Sequence, residues 1–340
     1  MPPDPTRVLI RAPNWLGDAV MALPAMAALR AAFSDRTLVL AAIPSIAPLF
    51  HEHTAVAPDE ILTVARPAEA EALRGARVDV AVLLPNSFRT AWVARQAGVR
   101  ERWGYKAHGR SLLLTRGIPR PGGRMHQSAY YLHLVTALGF AAAAGLPRID
   151  ITPSTRARVR ELIQGLGVDP SATLVGIAPG AAYGHAKRWP PSRVSELVAR
   201  LGARGATCVL VGAVGDRGAG REIESSLPAG ARVLNLIGRT DLRLFAGVLA
   251  ACKAFVSNDS GAMHLAAATG VPVTAIFGPT DERVTAPLGD HDVIIHQVFC
   301  RPCMLRDCPI DHRCMRGITV DAVFEAVSRR LDDHAPGPIA

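Results

Sequence analysis

Ser257-Asn258-Asp259-Ser260-Gly261-Ala262-Met263-His264-Leu265-Ala266-Ala267-Ala268 decides how this chain is read. Ala254-Phe255-Val256 precedes it as a short apolar strand, and its run of small residues reads as a helix. After Thr269-Gly270-Val271-Pro272 comes a second apolar strand, Val273-Thr274-Ala275-Ile276-Phe277, ending at Gly278-Pro279-Thr280. A strand that ends in Asn-Asp-Ser-Gly and turns at once into a helix presents free backbone N–H groups. Those groups and the helix dipole favour an anion there. Gly261 lets a ligand approach the backbone closely. The same pattern also describes an ordinary N-capped helix, with Asp259 or Ser260 as the cap.

Outward from this stretch, apolar strand, polar turn and helix alternate in both directions, which is βαβ patterning. Towards the N-terminus the second half holds a helix over 155–166 and a strand over 174–178. Another helix over 191–204, a strand over 207–211, a strand over 233–236 and a helix over 241–251 follow. The first half holds strands over 7–10, 37–41, 61–64 and 78–84, a short strand within 100–106, and helices over 19–32 and 126–138. Pro24 falls early in the first helix and is expected to kink it. Residues 109–123, rich in Arg, Gly and Pro, read as a mobile loop. It offers Arg110, Arg116, Arg120 and Arg124 to an anionic acceptor, or simply to water. The Ala-, Gly- and Pro-rich stretch 139–153 reads as the boundary between two Rossmann-like halves. The expected fold is α/β, with domains over 1–150 and 151–318 and a terminal helix and tail over 319–340.

Several loops at strand ends carry candidate chemistry. Asn14-Trp15-Leu16-Gly17-Asp18 follows the first strand, where open α/β sheets keep their active sites, although Asp18 also suits a helix cap. Asn86, Ser87 and Arg89 follow the fourth strand and would face the same edge, or form a turn capped by Ser87. Pro179 to Pro190 is Gly-rich and carries Lys187, but no Gly-Lys-Ser/Thr ends it as in a Walker A loop. Lys187 there is either a point charge for a phosphate or a surface lysine.

Composition limits the function classes. The chain has 340 residues, 49% hydrophobic and only 20% charged, enough for two domains with real cores. Its 38 basic and 29 acidic residues leave a formal charge of +9, which points to an anionic partner. The basic residues are scattered, with no basic arm or stacking platform, so nucleic acid is the weaker candidate. The first residues lack the basic and apolar regions of a secretory signal. No apolar run reaches the roughly 18 residues of a spanning helix. The expected place is the cytoplasm, with peripheral membrane contact.

Together these elements resemble glycosyltransferase family 9, the bacterial lipopolysaccharide heptosyltransferases, nearly end to end. The resemblance rests on residues 14–21, Leu84-Pro85-Asn86-Ser87-Phe88-Arg89, Pro179-Gly180-Ala181, Ala186-Lys187-Arg188-Trp189-Pro190, and Asn258 to His264 leading to Phe277-Gly278-Pro279-Thr280. It is similar above all to type II members, which add the second inner-core heptose. The resemblance implies a GT-B architecture, two Rossmann-like domains facing a central cleft, the first binding acceptor and the second donor. It implies ADP-L-glycero-D-manno-heptose as donor, a heptosyl-Kdo2-lipid A acceptor, and inversion by a single displacement. By the same resemblance Asp18 is the general base and Lys187 holds the diphosphate. Asp259 lies near the donor sugar and the Ser260 and Gly261 amides hold phosphate oxygens. Asp216 falls at a ribose-binding position and Thr240 near the adenine. His264 either faces the diphosphate or is structural. Asn14, Trp15, Asn86, Ser87 and Arg89 lie on the acceptor side. No cofactor is required, and no Asp-X-Asp motif is placed to carry a divalent ion.

Cys300, Cys303, Cys308 and Cys314 read as C-x2-C-x4-C-x5-C, with His296 and His312 nearby. The spacing admits a structural zinc, reduced thiols or a local disulfide, and the segment is expected to lie outside the chemistry. Cys208 and Cys252 sit in apolar surroundings as core thiols. The helix over 318–331 is expected to pack back toward the first domain, by analogy with GT-B folds. Two alternatives stand beside type II transfer. One is a type I, type III or other family 9 sugar transferase. The other is a basic, zinc-bearing nucleic-acid binder.

Overall fold

The computed structural model describes residues 6–169 and 171–333. The chain divides between Asp150 and Ile151 into two compact units. In the first, strands β1 (Arg7–Arg11), β2 (Thr37–Ala42), β3 (Glu60–Thr63), β4 (Val80–Leu83), β5 (Glu101–Tyr105) and β6 (Arg116–Ile118) form one sheet, ordered β3-β2-β1-β4-β5-β6. In the second, β7 (Leu174–Ala178), β8 (Thr207–Leu210), β9 (Val233–Asn235), β10 (Ala254–Asn258), β11 (Val273–Phe277) and β12 (His291–Ile295) take the order β12-β11-β10-β7-β8-β9. Every pairing between these strands is parallel.

Both orders are the same doubly wound pattern, since each sheet starts at its centre, runs to one edge and returns to run to the other. The order reverses between β1 and β4 and between β7 and β10. Loops leaving neighbouring strands in opposite directions open a crevice at the carboxyl ends there, and ligands bind at such switch points. The central strands are buried along their length, as Val8-Leu9-Ile10, Val80 to Leu83, β7 and β10 illustrate. That explains their continuous apolar runs, because helices cover both faces of a parallel sheet.

One core of the first unit collects Leu9, Val39, Ala81 and Leu83 from the strands with Leu73, Ala91 and Ala94 from helices. In the second unit, Val175, Ile177 and Val256 meet Leu197, Leu201 and Trp189. The helix Val320–Asp333 sends Val320, Val323 and Val327 into this same core. Its apolar face therefore packs within the second unit. The expected kink at Pro24 takes the form of a break: helix Leu16–Met21 stops, Ala22 bridges, and Leu23–Ala32 starts with Pro24 in its first turn. There a missing N–H costs nothing.

Residues 109–123 differ from the mobile loop expected. Arg110–Leu113 is a 3-10 turn and Arg116–Ile118 is edge strand β6. Arg110 is fully buried and therefore no surface cation, and the Arg116 guanidinium lies 5.4 Å from the Trp103 ring centre. Strand β12 escaped the sequence reading because His291-Asp292 opens it and no residue of it is fully buried. Among the described residues no helix is long and apolar enough to cross a membrane.

Candidate active site

At the second switch point the loops after β7 and β10 are stitched together by Asn258. Its Nδ2 donates to the carbonyls of Pro179 (2.7 Å) and Gly180 (3.4 Å), and its Oδ1 accepts from the Trp189 amide (3.2 Å). This bridge holds Lys187, in the 3-10 turn His185–Lys187, against Asp259. Lys187 Nζ lies 2.5 Å from Asp259 Oδ2, and the Thr280 hydroxyl donates to the same oxygen at 2.6 Å. Both charged groups are buried, with Lys187 9% and Asp259 6% exposed. The surface-lysine alternative for Lys187 is thereby removed.

The helix after β10 runs Gly261–Ala268, and Ser260 is its cap, accepting from the Ala262 amide at 3.3 Å. The cap and the anion site are not exclusive. The Ser260 and Gly261 amides donate to no protein acceptor among the described residues and stay available. His264 is buried within this helix. Asp216 accepts from the Ala213 amide (3.1 Å) and meets Arg188 (3.4 Å). Its carboxylate lies so close to Gly180 that a Cβ there would come within 2.2 Å of it. Asp216 is therefore brought to the same loop as Lys187. Thr240 is not: it is half-buried before the helix Leu242–Ala250, and no hydrogen bond ties it to the others.

The first switch point is built from the loops after β1 and β4, braced by the helix Gln127–Ala137. Asp18 does not cap its helix. Its Oδ1 instead accepts from the Tyr131 hydroxyl at 2.9 Å. Burial raises the Asp18 pKa above the usual carboxylate range, and the Tyr131 hydrogen bond opposes that rise. Burial and the neighbouring Asp18 in turn push the Tyr131 phenol well above its ordinary value. Tyr131 is thus a neutral donor and Asp18 a carboxylate of enhanced basicity, which suits a proton acceptor.

The adjacent Tyr130 accepts from Asn86 Nδ2 at 2.8 Å, so one helical step braces both loops. Asn86 also meets Arg110, 3.4 Å away, which further donates to the Tyr105 and Pro85 carbonyls. Burial brings the Arg110 pKa down to about 10. Ser87 is the cap of the helix Phe88–Gln96, bonding the Thr90 amide at 3.3 Å. Buried Glu69 pairs with both Arg11 (3.1 Å) and Arg89 (3.2 Å), and Arg11 reaches Asn14 Oδ1 at 2.9 Å. Trp15 is 64% exposed at this edge and makes no cap.

Sequence reading assigned no role to Tyr131, Tyr130, Glu69 or Arg11, and it placed Thr280 in a motif without a role. One signal was available. The chain has only four tyrosines, and Tyr105, Tyr130 and Tyr131 all serve the first site. The fourth, Tyr183, lies with its ring centre 4.6 Å from Lys187 Nζ.

The model of Glycosyltransferase family 9 (heptosyltransferase) matches residues 67–313. The chain belongs to glycosyltransferase family 9. It is 30% identical over 312 residues to lipopolysaccharide heptosyltransferase 2 of Salmonella typhimurium, covering 86% of this chain and 88% of that one. Among solved structures it is similar to E. coli ADP-heptose lps heptosyltransferase II, with TM-score 0.83 and 29% identity over 97% of this chain and 100% of the other. The family 9 glycosyltransferase of Veillonella parvula shares the fold at TM-score 0.84 and 19% identity, covering 98% and 99% of the two chains. The two doubly wound sheets are therefore the GT-B architecture of a family 9 glycosyltransferase.

The cysteine segment of this family 9 chain carries free thiols at Cys300, Cys303, Cys308 and Cys314, as do Cys208 and Cys252. Among the described residues no three or more His, Cys, Asp or Glu side chains converge as metal ligands. Burial, with the neighbouring thiols adding, raises the Cys314 pKa. The residues present do not fit the structural zinc, and no disulfide links them. Burial pushes Cys208 and Cys252 up to about 12, as inert core thiols.

Proposed function

We propose that the chain transfers L-glycero-D-manno-heptose from ADP-heptose to the heptose of a heptosyl-Kdo2-lipid A acceptor, with inversion, as a heptosyltransferase II. The observation that carries this reading is the buried Lys187–Asp259 pair at the second switch point, in a chain similar over most of its length to heptosyltransferase II proteins. The first unit would bind acceptor and the second donor.

In this reading the acceptor hydroxyl gives its proton to Asp18 as its oxygen attacks the anomeric carbon. The bond from that carbon to the ADP oxygen breaks on the opposite face, and ADP departs with the electron pair. Negative charge grows on the diphosphate. Lys187 and the Ser260 and Gly261 amides meet that charge as hydrogen-bond donors, the type of effect that lowers such barriers most. Lys187 must then exchange Asp259 for the diphosphate, a stronger, multiply charged acceptor. Asp259, still bonded to Thr280, is left to face the donor sugar, and Asp216 the ribose. Asn14, Trp15, Asn86, Ser87 and Arg89 line the acceptor side. The +9 charge fits an anionic, membrane-anchored acceptor, reached peripherally from the cytoplasmic face.

The test is a transfer assay with ADP-heptose and core acceptors carrying either no heptose or one, read by mass spectrometry. Addition of one heptose to the monoheptosylated acceptor alone is the expected result. Addition only to the heptose-free acceptor would reassign the chain to type I transfer.

A further inference from the structure

Residues 300–306, the start of the cysteine segment, touch the Lys187–Asp259 site from behind at two loops. The Arg301 side chain is almost fully buried, 4% exposed. Its Nε donates to the Gly278 carbonyl at 2.8 Å, and its Nη2 to the Thr280 carbonyl at 3.2 Å and the Glu282 carboxylate at 2.5 Å. The Met304 amide donates to the Pro279 carbonyl at 2.9 Å. These bonds hold the loop after β11. The same segment then grips the loop after β7. The Tyr183 hydroxyl donates to the Met304 carbonyl at 2.8 Å, and the Ala186 amide to the Arg306 carbonyl at 2.9 Å. Gly184 is the residue that permits this approach, since a Cβ there would come within 2.3 Å of the Arg306 carbonyl oxygen.

Strands β7 and β11 are not neighbours; they flank β10 on opposite sides. Segment 300–306 therefore spans the β10 loop, which carries Asp259, and joins the loops that carry Lys187 and Thr280. Those are the two partners of Asp259 Oδ2. Arg301 stands one backbone away from Thr280, whose hydroxyl fixes that oxygen. A planar guanidinium bonding two carbonyls of one loop and a carboxylate sets that loop's position in a way a single ammonium cannot.

We propose that segment 300–306 is a splint for the donor site and that Arg301 is a positioning residue, setting Asp259 and Lys187 through Thr280. This rests on the reading of Lys187 and Asp259 as donor-binding groups. It departs from the expectation that the cysteine segment lies outside the chemistry. The segment's backbone and Arg301 support the site, with no part in this assigned to its thiols.

The experiment titrates ADP into the full-length protein by calorimetry, with steady-state kinetics against donor and acceptor separately. Lys187→Ala is the reference variant for the donor-site reading, and wild-type ADP affinity in it would sink that reading itself. With that reading intact, Arg301→Ala is expected to weaken ADP binding about tenfold or more, the scale of hydrogen bonds to a charged group. The donor KM should rise while the acceptor KM stays unchanged. Arg301→Lys keeps a charge near Glu282 but loses the fork, and should recover only part of the affinity. It also carries the test if the alanine variant does not fold. Wild-type ADP affinity in a folded Arg301→Ala, or equal rises in both KM values, overturns the splint.

Discussion

Replacing Tyr131 by Phe removes one oxygen, and the structure says what that oxygen does. The hydroxyl donates to Asp18 Oδ1 at 2.9 Å in a partly buried site and is the interaction that offsets the burial-driven rise of the Asp18 pKa. A hydrogen bond to an ionised group contributes about 1.5–3 kcal/mol. One pH unit corresponds to about 1.36 kcal/mol of differential stabilisation. Losing the bond disfavours the carboxylate relative to the acid, so Asp18 should take up its proton at a pH about one to two units higher. If Asp18 is the general base proposed above, activity depends on its ionised form and is lost as pH falls. The acid limb of the kcat/KM profile in Tyr131→Phe should therefore move up by about one to two pH units. Its alkaline plateau should stay near wild type. The assay is ADP release measured from about pH 5 to pH 9. An unmoved limb would mean that Tyr131 does not tune Asp18. A collapsed plateau with the limb in place would mean that the phenol meets substrate instead.

Asp18→Asn should lower turnover by about a hundredfold to ten-thousandfold, the usual worth of a general base, while calorimetry shows ADP binding intact. The native state raises the Asp18 pKa, so it holds this proton more tightly than the unfolded chain. The group's contribution to stability then falls as pH rises through its native titration. Thermal melts should accordingly find Asp18→Asn more stable than wild type at neutral pH, with the gap closing below the ordinary carboxylate range. Lys187→Ala leaves buried Asp259 with Thr280 alone, and should cost about 3–5 kcal/mol in urea unfolding besides abolishing ADP binding. Gly180→Ala would drive a methyl into the Asp216 carboxylate, 2.2 Å from where its Cβ must go. It should cost about 1–3 kcal/mol of stability and weaken ADP binding, while any ribose role of Asp216 predicts a smaller effect on inorganic pyrophosphate.

Local sequence determined the elements. Apolar runs such as Val8-Leu9-Ile10 and Phe255-Val256, bounded by polar turns, suit central parallel strands, so strand existence, helix alternation and the loops at strand ends were legible. Asn-Asp-Ser-Gly at the end of β10 encoded its own helix start, because a cap depends on residues three or fewer positions apart. Long-range pairing decided the rest. The strand order that makes switch points of the β1/β4 and β7/β10 loops joins segments far apart in the chain. Asp18 and Tyr131 meet across 113 positions, and Lys187 and Asp259 across 72. Nothing local distinguishes Arg110 in the core from an arginine in a solvated loop, and only its burial behind Asn86 does. The same holds for the cysteine segment, whose spacing left zinc, reduced thiols or a disulfide open and whose docking on Thr280 and Ala186 only the fold shows. Spacing records which groups are close along the chain, whereas a site is made of groups that the packed sheets bring close in space.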